Sequence, residues 1–169
     1  MDRNSGHDKI SNLNQNYMNK KDLTKAAVIS GVMNAIINGI INWFTLDKTH
    51  PTVLLTQDQI SSSMHTVFSG AVPLAVSLAF ILTSIAFFTT KIENKPPYWP
   101  TYFLKALKHS VYAFGLFTIF GVLIQRIWGS IEVSLVLAAV LAGLIAGIVG
   151  GIVEYETKKS LIEREKVKQ

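Results

Sequence analysis

Four long stretches of this chain contain no Asp, Glu, Lys or Arg: Ala26–Leu46, Gln59–Thr90, His109–Gln125 and Val133–Val153. A helix that crosses a bilayer needs about 17–25 mainly apolar residues, because each residue adds only about 1.5 Å of rise. Inside hydrocarbon the backbone must satisfy its own hydrogen bonds, and an α-helix does so within one segment. The pattern predicts an all-α membrane protein, a four-transmembrane-helix bundle with spans at about 23–46, 66–90, 103–127 and 131–153. Around it, residues 1–21 read as a disordered cytoplasmic tail, 22–153 as the membrane domain and 154–169 as a charged helical tail.

Only 16% of the residues are charged, against about 25% in an average soluble domain, which agrees with this class. The absence of cysteine excludes disulfides, thiol redox chemistry and iron–sulfur ligation. Haem held between spans would need axial histidines there, and no such pair exists, so no cofactor is expected. No cleavable signal peptide is apparent ahead of the first apolar run.

The net charge of +5 does not point to nucleic acid, because of where the basic residues lie. Arg3, Lys9, Lys20, Lys21 and Lys25 precede span one; Lys91, Lys95, Lys105 and Lys108 lie around the loop between spans two and three. Lys158, Lys159, Arg164, Lys166 and Lys168 follow span four, and only Lys48 and Arg126 fall in the other two loops. Basic residues in short loops are retained on the cytoplasmic side. The expectation is a multi-pass protein of the cell membrane with both termini cytoplasmic. Trp43 and Trp128 then fall at the outer boundary, and Trp99, Tyr102 and Tyr155 at the inner one, as an aromatic belt would.

Local signals set the expected helix ends. Thr56-Gln57-Asp58-Gln59 fits a capping box that would start helix two outside the membrane and carry it through Met64 and His65. Pro96, Pro97 and Pro100 predict a stiff connector. Gly129–Ser130 predicts a tight turn, with Ser130 as N-cap of span four and Glu132 in its first turn. Beyond Val153, Glu154 and Lys158 are placed for an i,i+4 pair, and a solvated helix is expected.

Two patterns within the spans could carry function. Asn34, Asn38 and Asn42 occupy i, i+4 and i+8 of span one, forming a slowly winding polar stripe that must face protein or water. Either it is interhelical glue or it lines a solute pathway, with Ser69, Pro73 and Ser77 of span two as the opposite wall. In span four, Ala139, Gly143, Gly147 and Gly151 form a small-xxx-small ridge, a glycine-zipper pattern that lets helix backbones approach closely. Its partner is either span one of the same chain or span four of another.

Lys105, Lys108, His109 and Tyr112 share one face at the inner end of span three, where Lys105 and Lys108 would meet anionic lipid headgroups. No Asp, Glu, Lys or Arg lies at the centre of any span, so proton coupling lacks its usual carboxylate. The loop residues Asp47, His50, Asp58 and His65 match no metal spacing, and no nucleophile or acid–base set is present, so neither a metal site nor an enzyme is expected. The leading expectation is a permease-like or channel-like homo-oligomer, a dimer, for a neutral or weakly charged solute. The alternative is a non-transporting scaffold or accessory subunit.

Overall fold

The computed structural model describes residues 20–56, 66–92 and 95–167. Four of its helices are long and apolar enough to cross a membrane: α1 (Lys20–Thr45), α2 (Val67–Thr89), α3 (Phe103–Trp128) and α4 (Leu135–Val167). Two short strands, β1 (Thr52–Leu54) and β2 (Glu132–Ser134), lie in the α1–α2 and α3–α4 connections. Most of the N-terminal segment 1–21, and the Gln57–Gln59 part of the expected capping box, lie outside the described residues.

A capping box does open α2, but with Thr66 as N-cap. The Thr66 hydroxyl accepts from Ser69 N–H at 3.0 Å, and Ser69 Oγ accepts from Thr66 N–H at 2.8 Å. These two bonds satisfy donors that a helix start otherwise leaves orphaned. Pro73 therefore falls in the second turn of α2, close to its start. Thr56 is instead fully buried ahead of this segment.

The α3–α4 connection departs from the expected turn-and-cap. Glu132 is in β2, which pairs antiparallel with β1, setting Thr52 opposite Ser134, Val53 opposite Val133 and Leu54 opposite Glu132. The local sequence alternates apolar and polar, as a half-buried strand does. Val133 is buried against Val67 and Ala138, while Glu132 and Ser134 are exposed. Thr52 Oγ1 donates to Glu132 Oε2 across the ribbon at 2.8 Å. Gly129 ends α3 at φ +69°, a conformation that side-chain-bearing residues rarely adopt. Ser134, not Ser130, caps α4, its Oγ accepting from Leu137 N–H at 3.3 Å.

The central helix is α4. It carries α1 on one side and α2 on the other, and α3 packs on α2. The second interface rests on a row of fully buried alanines, Ala71, Ala75 and Ala79, which brings α2 against Ile145, Val149 and Val153 of α4 and Ala113 and Phe117 of α3. Helices α1 and α4 run antiparallel: Gly31 meets Gly147 and Gly151, while Gly39 meets Ala139 and Gly143. The start of α1 and the end of α4 thus share one end of the molecule, the terminal end, and the β-ribbon closes the other.

The last part of α4 is a docked helix, contrary to the solvated tail expected from its charges. Leu161 is fully buried against Phe87 and Tyr102, with Ile92 and Tyr98 beside them. Tyr102 OH lies 3.2 Å from Ser160 Oγ, and the Arg164 guanidinium sits 5.7 Å from the Tyr102 ring centre. Glu156, Glu163 and Arg164 are exposed, whereas Glu154 and Lys158, with side chains only 13–17% exposed, pair at 2.6 Å as their spacing anticipates. Tyr102 is consequently only 1% exposed and does not join an interfacial belt; Trp99 and Trp128 are each 65% exposed.

Candidate functional site

The polar stripe of α1 closes on its own backbone. Asn34 Nδ2 donates to Ser30 O at 2.8 Å, Asn38 Nδ2 to Asn34 O at 2.9 Å and Asn42 Nδ2 to Asn38 O at 2.9 Å. Side chains on a helix lean toward its N-terminus, which lays each amide over the carbonyl one turn back. These bonds fall within α1 rather than across to a neighbouring helix. Asn38 is buried, and Asn34 packs on α4 so closely that a Cβ at Gly150 would stand 2.8 Å from its Nδ2.

The residues expected opposite lie elsewhere. Ser69 is engaged in the α2 cap, while Pro73 and Ser77 are exposed on α2, with Ser77 Oγ donating to Pro73 O at 2.9 Å. Since α1 packs on α4 and makes no extensive contact with α2, one copy of the chain does not bring the two sets together.

The small ridge of α4 meets a matching row on α1. Ala27, Gly31, Ala35 and Gly39 also recur every four residues, a pattern present in the sequence but less conspicuous than the asparagines on the same helix. A Cβ at Gly147 would stand 2.8 Å from the Ala35 Cβ and 2.9 Å from the Gly31 carbonyl, and one at Gly151 3.3 Å from the Ala27 carbonyl. Backbone-to-backbone approach of this kind is what small residues permit. The ridge is thereby occupied within the chain.

Between α3 and α4, toward the terminal end, lies a cavity of about 630 Å³. Lys105, Lys108, His109 and Tyr112 line it from α3, and Ile152 and Glu156 from α4. Lys105 Nζ donates to the Glu156 carbonyl at 2.9 Å, tying the two helices together, and Lys108 Nζ sits 5.4 Å from the Tyr112 ring centre. His109 is held from the α2 side. Its Nδ1 is 2.8 Å from Thr83 Oγ1, and the Thr83 hydroxyl donates its one proton to Ala79 O at 2.6 Å. Thr83 can then only accept, so Nδ1 carries the ring proton of the neutral imidazole and Nε2 is left as an acceptor. Ser110, one residue on, donates to Val76 O at 3.0 Å. Thr83 had no signal in the sequence, since a lone threonine in an apolar run reads as a satisfied backbone partner.

Two further cavities flank the α1–α4 contact, of about 530 Å³ and 490 Å³, and none of Asn34, Asn38 or Asn42 lines any of the three. Among the described residues, no group of three or more His, Asp or Glu could hold a metal ion; Asp58 and His65 lie outside them. No known protein family, curated protein or solved structure matches the chain.

Proposed function

We propose that this chain is a non-transporting scaffold or accessory subunit of the cell membrane, with both termini cytoplasmic. The observation that carries this reading is the closure of the stripe: each asparagine amide bonds the carbonyl one turn back, and Asn38 is buried. A solute pathway needs polar groups facing a hydrated space, and the three amides turn to their own helix. The docked end of α4 supports the same reading. Its charged outer side, fixed by Leu161 beneath, forms a platform at the terminal end that a partner could engage. The inside placement of that end rests on the lysine and arginine distribution along the sequence, fourteen of the 16 basic residues falling before span one, between spans two and three or after span four.

A second reading is the permease-like or channel-like dimer for a neutral or weakly charged solute. It draws on one observation, that Pro73 and Ser77 are exposed on α2, so a second copy could close a path over them. The chain has no cysteine, which makes single-cysteine labelling clean. Asn38→Cys and Ser77→Cys are each exposed in intact membranes to a membrane-impermeant maleimide. The scaffold reading expects neither to react; modification of both from the aqueous side would establish a hydrated path and displace it.

A further inference from the structure

The cavity between α3 and α4 has the build of a site for one amphiphile. Its floor is apolar and buried, made by Ala113, Phe117, Val149 and Val153, which are at most 8% exposed. Its rim is half open: Leu116 and Ile152 are 45% and 54% exposed, so the groove meets whatever surrounds the helices. The polar groups do not scatter along it. Lys105, Lys108, His109 and Tyr112 all stand at the terminal end, and the stretch beyond them is aliphatic and aromatic.

The length of the groove matches one leaflet. From Lys108 to Phe117 the helix rises about 14 Å at 1.5 Å per residue, and half of a hydrocarbon core about 30 Å thick is about 15 Å. A molecule with its head among the lysines would therefore place its tail along Ala113 and Phe117 and end near the bilayer centre. Its volume of about 630 Å³ falls within the range of about 300–1,000 Å³ typical of small-molecule sites.

We propose that the α3–α4 groove binds a single anionic phospholipid from the leaflet on the terminal side. Its phosphate sits between Lys105 and Lys108, and one acyl chain lies over Ala113, Phe117 and Val149. The charge balance favours an anion: Lys105 and Lys108, with Arg164 near Lys105, outnumber the carboxylates of Glu156 and Glu163, and the exposed Glu156 already gives its backbone carbonyl to Lys105. Lys105 keeps two further donors, and the Tyr112 hydroxyl can donate to a phosphate oxygen. The lipid completes the wall where α3 and α4 diverge, and this role is independent of whether the chain is a scaffold or a path.

The test uses the full chain, delipidated in neutral detergent and then equilibrated with equimolar phosphatidylglycerol and phosphatidylcholine. The lipid retained is read by native mass spectrometry. The expected result is one retained phosphatidylglycerol per chain, with the preference falling about fivefold for each lysine removed in Lys105→Gln and Lys108→Gln. Leu116→Trp fills the groove while leaving both lysines, and is expected to lose the same lipid; Ile152→Trp fills it from α4 and serves if the first variant does not fold. Loss in the lysine variants with full retention in the filled ones would mean general surface attraction only, and would overturn the site. Equal retention of the two lipids by the wild type would overturn it too. Displacement of phosphatidylglycerol by inorganic phosphate would reduce the site to a headgroup anion site, against the proposal.

Discussion

A Cβ placed on Gly143 would stand 2.6 Å from the carbonyl oxygen of Ala35 and 3.1 Å from the Cα of Gly39. Both neighbours are backbone, so neither can swing aside. Gly143→Ala should therefore force α1 away from α4, at a cost of about 1–3 kcal/mol, as overpacking of a close contact does. Gly115 in α3 has nothing within 4 Å of its missing Cβ, and Gly115→Ala should gain about 0.5–1 kcal/mol from helix propensity alone. Thermal unfolding in detergent would rank the two on either side of wild type. The same order from both substitutions would refute the contact.

Gly150 poses a different question, because the atom nearest its missing Cβ is a side chain, Asn34 Nδ2 at 2.8 Å. Gly150→Ala alone should destabilise, since the amide is held by Ser30 O and cannot retreat without losing that bond. In the Asn34→Ala background the amide is gone and only the residue-34 Cβ, 3.1 Å away, remains, so Gly150→Ala should cost less there than in the wild type. The expected coupling is about 0.5–3 kcal/mol, as for residues in direct contact. Additive effects in a double-mutant cycle on thermal stability would show that Asn34 and Gly150 do not touch.

The helices were legible because uncharged length is a strong signal, and α1, α2 and α3 begin or end close to where charge and proline predict. The ridge on α4 was legible for the same reason, as a fixed period of small residues. Its partner was not, since the four-residue row Ala27, Gly31, Ala35, Gly39 shares its helix with a more conspicuous row of asparagines. Glu132 departs from its expected place because Ser130 and an acidic residue two positions on resemble a helix start. The alternation through Val133, and its cross-strand partner Val53, outweighs that local preference. The charges at the end of α4 read as a solvated helix, yet Glu154 and Lys158 are themselves mostly buried, and Leu161 and Ile162 among them carry the contact. The Asn stripe could not be resolved from sequence at all: its spacing is equally that of a helix bonding its own carbonyls and of a helix lining a path.

Leu161 is fully buried against Phe87 and Tyr102, so Leu161→Ala should cost about 2–5 kcal/mol, the range for truncating a core leucine. The loss should be local to the terminal end. Limited proteolysis from the aqueous phase should then cut beyond Val153 in the variant and spare the wild type. Ile152→Ala, at a position 54% exposed on the same helix, should leave both the cleavage pattern and the thermal midpoint nearly unchanged. Equal protease resistance of Leu161→Ala and wild type would contradict the docked arrangement.

Thr83 is buried, and its hydroxyl serves two groups at once, donating to Ala79 O and accepting from His109 Nδ1–H. Thr83→Val keeps the shape and removes the acceptor. The Ala79 carbonyl loses only an extra bond, but the imidazole N–H is left facing an apolar wall, which is the costly half of the exchange. Bonds between membrane helices have been worth about 0.6 kcal/mol on average and at most about 1.7 kcal/mol, so Thr83→Val should fall within that interval. Thr83→Ser, which keeps the hydroxyl, should stay close to wild type. In a His109→Phe background the acceptor has no donor left to serve, and Thr83→Val should then cost little or nothing. A loss of equal size in both backgrounds, measured by thermal unfolding, would mean that Thr83 contributes through packing alone and that nothing holds His109 toward the α3–α4 groove.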